Sequence, residues 1–477
     1  MKYPIENPLA EMQYGIQQRI DGWGNRSVQS CHVSTPESLN QLRAILKSGE
    51  QDNYIARGLG RSYGDPSLNE GQGVILQTSR NLLLGLDERR GMLHCQAGVT
   101  LAEIIHHLLP RGWFLPTTPG TRFVTVGGAV AADVHGKNHH RHGSLGNAVE
   151  AFRLLTASGE IMSCSREQNS ELFWATIGGM GLTGIILDVH FRLRAVETAY
   201  CHVSYRRTAN LEDTLDLFQQ SDRDFEYSVA WIDCLARGSR LGRSIVMLAN
   251  DATVDQLPWD LRPAALELPR RRTLSLPFHL PRFALNRLAV QAFNSFYYWR
   301  HSNSERLIDF NTFFYPLDGI RHWNRIYGRR GFVQYQALFP STTSRQGLVE
   351  MLEKIAHSRR ASFLAVLKSS GPANDGHLSY LYPGHTLALD FPYQGEATER
   401  LFQQLDQILL KHGGRLYLAK DSMTSAETFA GMYPRLDEFR QIKKQVDPGN
   451  LFTSSQARRL GMTDETMPPD LATEGQA

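Results

Sequence analysis

Apolar residues recur in two rhythms along the first part of the chain. Leu39, Leu42 and Ile45 are spaced for one face of a helix, and Thr35 followed by Pro36 reads as its N-cap and first position. Ile104, Ile105, Leu108 and Leu109 form a second helical stripe, with Thr100 and Glu103 in capping-box spacing ahead of it. Short β-rich runs at 54–56, 74–77, 92–97, 152–156 and 185–193 fall around them. The mixture predicts an α+β layout rather than a strict strand–helix alternation.

From about 196 to 410 aromatics become more frequent, and the runs 332–339, 363–368 and 386–391 predict a second domain built on an antiparallel sheet. A helical run at 399–412, a strand at 415–419 and the segment 426–446 then lead to Asp447-Pro448-Gly449, a turn expected to bring the chain back onto earlier elements. Residues 461–477 are acidic and poor in apolar groups, so a disordered tail is expected there.

Length supports this division, because 477 residues at 42% hydrophobic composition exceed one core and call for at least two domains. Fifty-one basic against 48 acidic residues leave a net charge of +3, too near balance for a nucleic-acid partner. Cys31, Cys95, Cys164, Cys201 and Cys234 show no CxxC spacing and read as reduced, half-buried thiols. The opening MKYPIENPLAEM carries Pro and Glu where a signal peptide needs an apolar run, and nothing approaches the roughly 18 apolar residues of a membrane span. A cytoplasmic place is expected, at the inner face of the membrane. That last point comes from 268–304, which lacks acidic residues and holds Arg270, Arg271, Arg272, Arg282, Arg287 and Arg300. Leu274, Leu276, Phe278, Leu280, Phe283, Leu285 and Leu288 are interleaved with them. Such a stretch is either an ordinary surface loop or a contact for an anionic membrane surface or lipid phosphate.

Candidate chemistry concentrates in three glycine clusters. They are Arg57-Gly58-Leu59-Gly60-Arg61-Ser62-Tyr63-Gly64, then Pro119-Gly120-Thr121 with Gly127-Gly128, then Gly178-Gly179-Met180-Gly181-Leu182-Thr183-Gly184. Glycine lets backbone N–H groups approach a ligand closely, and several such loops converging cradle a pyrophosphate. The first cluster has the wrong spacing for a dinucleotide-binding Rossmann turn and lacks the Gly-Lys-Ser/Thr ending of a P-loop. The phosphates must therefore lie across loops from several elements. The histidines His135, His139, His140 and His142 sit in a Gly/Asn-rich loop without carboxylates, so no metal is expected.

The runs ARGLGRSYGD, PGTRFVTVGGAVAADVHGKNHH, ELFWATIGGMGLTGII, FLAVLK and RLYLAKDS make the chain resemble the decaprenylphosphoryl-β-D-ribose 2'-oxidase family of vanillyl-alcohol-oxidase-type FAD proteins, from about Gly22 to Leu460. The resemblance implies a two-domain α+β fold. Residues 1–195 would form the N-terminal part of the FAD-binding domain, 196–410 the substrate domain, 411–460 the return to the FAD domain, and 461–477 the tail. It further implies that Arg57, Gly58, Leu59, Gly60, Arg61, Ser62, Tyr63, Gly120, Thr121, Arg122, Thr125, Val126, Gly127, Gly128 and the backbone around Ile185 line the FAD. His135, Gly136, Lys137, Asn138 and Tyr417 would approach the flavin ring. Many relatives of this type attach flavin to a His in the first cluster, whereas Arg61 and Ser62 stand here, so non-covalent FAD is expected.

Oxidising a secondary alcohol needs a base near the hydroxyl. Lys420 is the first candidate, on condition that burial lowers its pKa; the alternative is an ordinary ion pair with Asp421 or Asp390. Tyr63, His135 and Lys137 complete the expected catalytic group, and Tyr315, Gln334, Gln336 and Lys368 the expected substrate contacts. Gln334 and Gln336 share a strand face by period 2. The family's cysteine before Val-Asp-Phe-Pro is replaced by Ala388, which puts the pocket's detailed shape in doubt. The implied reaction is oxidation of the 2'-hydroxyl of a polyprenylphosphoryl ribose, completed to the arabinose form by a short-chain NAD(P)H reductase partner. An aldonolactone or alditol oxidase acting on a free sugar, and a non-catalytic flavin-binding scaffold, remain the alternatives.

Overall fold

The computed structural model describes residues 15–269, 273–280, 287–358, 360, 362 and 364–463. Arg270, Arg271, Arg272, Arg282, Phe283, Leu285, Phe363 and the expected tail from 464 onward lie outside them, as does the side chain of Arg287.

A four-stranded sheet in the order Ile16–Ile20, Gln29–Ser34, Gly73–Leu76, Tyr54–Arg57 begins the chain, and its last three strands run parallel. An antiparallel sheet follows, ordered Leu83–Asp87, Met92–Gln96, Ile185–Arg192, Val149–Leu155, Ile161–Ser165. The helix Leu39–Lys47 starts later than expected. Ser38, rather than Thr35, is its N-cap, because Gln41 sits where each side chain satisfies the other's backbone N–H. The Thr100–Glu103 capping box forms as expected ahead of the helix Leu101–Leu108.

Eight antiparallel strands make the third sheet, in the order Ser304–Asp309, Tyr200–Thr208, Ser244–Asp251, Tyr227–Ile232, Ala365–Ser370, Gly384–Pro392, Phe332–Pro340, Arg415–Leu416. The helices Leu211–Ser221, Ser344–Ser358 and Glu396–Lys411 pack against it. The expected strand 415–419 stops after Leu416. Tyr417 adds one rung by donating to the Gln336 carbonyl at 3.1 Å, and Lys420 N and Asp421 N then both turn back to the Tyr417 carbonyl. That turn lets Tyr63 N reach the Ala419 carbonyl at 3.0 Å, which ties the first glycine cluster to it.

The C-terminal part does return. Tyr54 and Phe452 form a parallel bridge, and Tyr54 N donates to the Leu451 carbonyl at 2.7 Å. Asp447 shapes the approach, accepting from Leu451 N and Phe452 N at 2.8 Å each while pairing with Lys443, all in the interior. Packing continues past the expected end of order at 461, since Met462 and Thr463 are buried. All five cysteines are fully buried free thiols rather than half-buried ones. Among the described residues no helix is long and apolar enough to cross a membrane.

Replacing Asp447 strands a buried ammonium and two backbone donors. Asp447→Ala is expected to cost about 3–5 kcal/mol, read from the urea midpoint; a loss below about 0.5 kcal/mol, the range of ordinary surface changes, would mean that the pair is solvated.

Candidate active site

A cavity of about 900 Å³ lies between the three glycine clusters and one face of the eight-stranded sheet. Strand alternation explains what the sheet offers it. Facing positions in antiparallel strands share a side, so the pairs Gln336–Ala388, Val366–Ala388, Trp231–Val366, Val229–Met247 and Tyr205–Met247 carry one continuous face across the sheet. Every one of those residues lines the cavity, and Gln334 and Lys368 join them at period-2 positions.

The opposite wall is the glycine-rich one. Gly58, Leu59, Gly60, Arg61, Ser62 and Tyr63 line it with Gly120, Thr121, Thr125, Gly127 and Gly128, and Met180, Gly181 and Gly184 come from the third cluster. Gly58 is required by packing, since a Cβ there would meet Thr125 Oγ1 at 2.2 Å. Gly120 is different, because a Cβ there would meet nothing within 4 Å and would project into open space. Arg57 also borders the cavity, but its guanidinium holds the Asp21 and Ser67 carbonyls. Arg61 bridges clusters, donating to the Phe123 carbonyl at 3.1 Å with its guanidinium 4.1 Å from the Trp23 ring centre.

Four cationic or ionisable groups converge at the sheet end. Lys420 Nζ sits 3.8 Å from the centre of the buried Tyr63 ring. Burial pushes its pKa well below the ordinary lysine value, Asp390 pulls it back up, and Lys368 adds to the lowering. Burial alone takes Lys368 down to about 8, and burial with Lys368 takes Lys137 down to about 7. Lys137 donates to the Phe313 carbonyl. His135 is held neutral by burial and the neighbouring lysines. Gln336 Nε2 faces its Nε2 at 2.9 Å, so the ring accepts there and carries its proton on Nδ1, a buried atom with no hydrogen-bond partner. Tyr417 and Gly136 complete this end, the Tyr417 hydroxyl donating to the Ala132 carbonyl at 2.8 Å. Asp390 accepts from Gln334 and from Tyr327, and burial raises its carboxyl. Asp421, the other expected partner of Lys420, is paired with Arg459 at 2.8 Å.

Five expected contact residues stand behind the wall instead. Tyr315 is buried with its hydroxyl on Thr118 Oγ1 at 2.6 Å, so Thr118 faces the cavity in its place. Asn138 braces the loop through Pro116 and Thr117. Arg122 is taken up by Asn311 and, through its N–H, by Asp318. Val126 is a core residue, and Ile185 packs with Tyr54, Leu155 and Phe452 while its neighbours Gly184 and Ile186 reach the cavity. The histidines disperse: His139 accepts from Gly371 N, His140 contacts the Phe225 carbonyl and His142 pairs with Glu226. One other trio, His94, Asp188 and His190, brings its ligand atoms within 4.8 Å, with Asp188 also held by Arg153.

Sequence reasoning missed Gln77 and Trp23. Gln77 follows the strand Gly73–Leu76, parallel to the strand that delivers Arg57, and the carboxyl ends of parallel strands are ligand positions. That adjacency is the signal that was available for it. Trp23 had none, since tertiary contacts bring it to the cavity: its N–H on the Ser62 carbonyl, and its ring beside Arg61 and Trp323.

These residues fit FAD. The volume lies at the upper end of ordinary small-molecule sites. Gln77 lines the cavity with both amide atoms buried and unpartnered, and His135 Nδ1 is a second such atom at the far end. Gln77 and the glycine loops would hold the phosphate and nucleotide part, and His135, Lys137 and Tyr417 would border the flavin ring.

The FAD binding domain family matches residues 32–165, and the D-arabinono-1,4-lactone oxidase family matches residues 375–460. The chain is 39% identical to the decaprenylphosphoryl-beta-D-ribose oxidase of Mycolicibacterium smegmatis over 93% of its own length and 97% of that protein. It is 35% identical to an uncharacterised Streptomyces coelicolor protein over 76% of its own length and all of the other. It is 23% identical to the L-gulonolactone oxidase of Mus musculus over 89% and 94%. The glycine cradle, the unpartnered cavity groups and these matches agree: the protein binds FAD and belongs to the decaprenylphosphoryl-β-D-ribose oxidase family of FAD-dependent oxidoreductases.

Proposed function

We propose that the protein oxidises the 2'-hydroxyl of a polyprenylphosphoryl-β-D-ribose to the 2'-keto sugar, the first half of an epimerisation to the arabinose form. The observation that carries the mechanism is Lys420, stripped of water against the Tyr63 ring at the end of the cavity where Lys137, Lys368 and His135 converge. FAD, when bound, supplies the acceptor for the hydride leaving the carbinol carbon. Lys420 in its neutral form takes the hydroxyl proton. Asp390, fixed by Gln334 and Tyr327, stabilises the ammonium that results.

Lys368, adjoining the sugar end, meets the phosphate of the substrate. His135 presents Nδ1–H to a ligand oxygen, and Gln336 fixes its ring. Tyr315 acts through Thr118 rather than by contact. Ala388 leaves a thiol-free surface opposite Gln336. The keto product is a substrate for a short-chain NAD(P)H reductase, the partner this reading calls for. The acid-free stretch 268–304, with exposed Leu274, Phe278 and Leu288, is proposed to meet an anionic membrane surface from which the substrate is drawn. The lactone-oxidase match spans only the C-terminal part, and the lactone-oxidising relatives are more distant.

Anaerobic titration of the yellow protein with polyprenylphosphoryl ribose is expected to bleach its flavin band. Lys420→Ala should keep the flavin and lose about 10²–10⁴-fold in the rate of bleaching. A wild type that stays yellow with this substrate but bleaches with a free lactone would overturn the substrate. Because neutral Lys420 is the active form and its folded pKa is depressed, kcat/KM should rise as pH climbs through the neutral range and level off well below the ordinary lysine value of about 10.4. Lys420→Arg, charged throughout, should not recover that limb; a profile rising only near pH 10 counts against Lys420 as base. With Arg61 and Ser62 in the first cluster, acid precipitation should leave all the yellow colour in the supernatant.

A further inference from the structure

We propose that the substrate's isoprenoid tail lies in an apolar corridor that leaves the flavin chamber across the eight-stranded sheet and opens at the helix Arg287–Arg300. The inference rests on the lipid-linked substrate of the proposed function and adds where its tail goes.

Strand order supplies the main argument. Along the cavity face, the strand Phe332–Pro340 carries Gln334 and Gln336, the strand Gly384–Pro392 carries Ala388 beside Asp390, and the strand Ala365–Ser370 carries Lys368. Beyond Lys368 the lining side chains of the floor strands are uncharged. Val229 and Trp231, then Met247, then Tyr205 continue the floor strand by strand, Val229 facing Met247 and Met247 facing Tyr205. A ligand laid across these strands meets hydrogen-bonding groups, then a cation, then apolar surface. Sugar, phosphate and hydrocarbon follow in the same order in a polyprenylphosphoryl sugar. Three interstrand steps from Lys368 to Tyr205 span roughly 14 Å at about 4.8 Å each. A free sugar or lactone has no use for such a length, and a peptide would leave its backbone groups unpaired there.

The roof and the mouth agree. Tyr297 packs over the floor with its ring 4.7 Å from that of Trp231 and tilted to it by 48°. Phe293 both lines the cavity and is 43% exposed, so the apolar lining reaches solvent there. The helix carrying them turns Val290, Asn294 and Tyr298 inward yet leaves Leu288, Phe296 and Trp299 exposed at 76%, 64% and 65%. The outer side of this helix thus carries large apolar side chains beside Gln291 and Arg300, the composition of a helix that meets hydrocarbon at a polar boundary.

The test is anaerobic flavin bleaching by phosphoryl riboses of increasing isoprenoid length in one detergent. KM is expected to fall as the tail lengthens and to level off once it passes the mouth. Phe293→Asp places a charge at the partly exposed end of the lining, and should cut the long-tail to short-tail ratio of kcat/KM by about tenfold or more. Equal kcat/KM at every tail length, or equal losses for short and long tails in Phe293→Asp, overturns the corridor while leaving the oxidation in place. Failure of every tail length to bleach the flavin overturns the lipid-linked substrate, and the corridor with it.

Discussion

Arg459 is the interaction on which the arrangement of the site depends. Its guanidinium pairs with Asp65 at 2.7 Å and Asp421 at 2.8 Å and donates to the Thr424 carbonyl at 2.7 Å. Asp65 ends the first glycine cluster, Asp421 follows Lys420, and Arg459 belongs to the C-terminal helix Ser455–Leu460, so one side chain fixes three distant pieces of chain. Burial by itself would raise the Asp421 carboxyl; Arg459 and N–H bonds from Thr424 and Met423 outweigh it and keep it charged. Asp421 is thereby committed, and Asp390 is left as the carboxylate that acts on Lys420. Gly64 records how close this junction is, since a Cβ there would fall 2.0 Å from the Asp421 carbonyl.

The electrostatic state of the chamber follows from that commitment. Burial pushes Lys137, Lys368 and Lys420 all below the ordinary lysine value, Lys368 lowers the other two further, and Asp390 acts on Lys420 in the opposite direction. The site is therefore built to hold an anion and to release a proton readily.

Much of this was legible in the residues. The glycine clusters, the antiparallel second half and the C-terminal return are local signals, carried by turn residues, period-2 runs and Asp447-Pro448-Gly449. Within the site, Gln334 and Gln336 came out together because strand parity is a local property. Tyr315, Asn138 and Arg122 did not, because facing a ligand or bracing the loop behind it is decided by tertiary partners such as Thr118, Pro116 and Asn311. The strand expected through Ala419 failed for a related reason: Tyr63 competes for the Ala419 carbonyl from nearly the other end of the chain. Ser38 displaced Thr35 as helix cap since the reciprocal bond to Gln41 outweighs a favourable proline.

Strand alternation across the large sheet has an evolutionary consequence. In Ala365–Ser370, Ala365 and Leu367 are buried in the core whereas Val366 and Lys368 face the chamber, and Leu387 and Ala388 divide in the same way. Each strand thus spells two interleaved texts, one read by the fold and one by the ligand. Substitutions confined to every second letter can retune which molecule is accepted without disturbing the packing that holds the sheet together. A scaffold of this kind can change its head-group and carrier contacts at low risk to its stability.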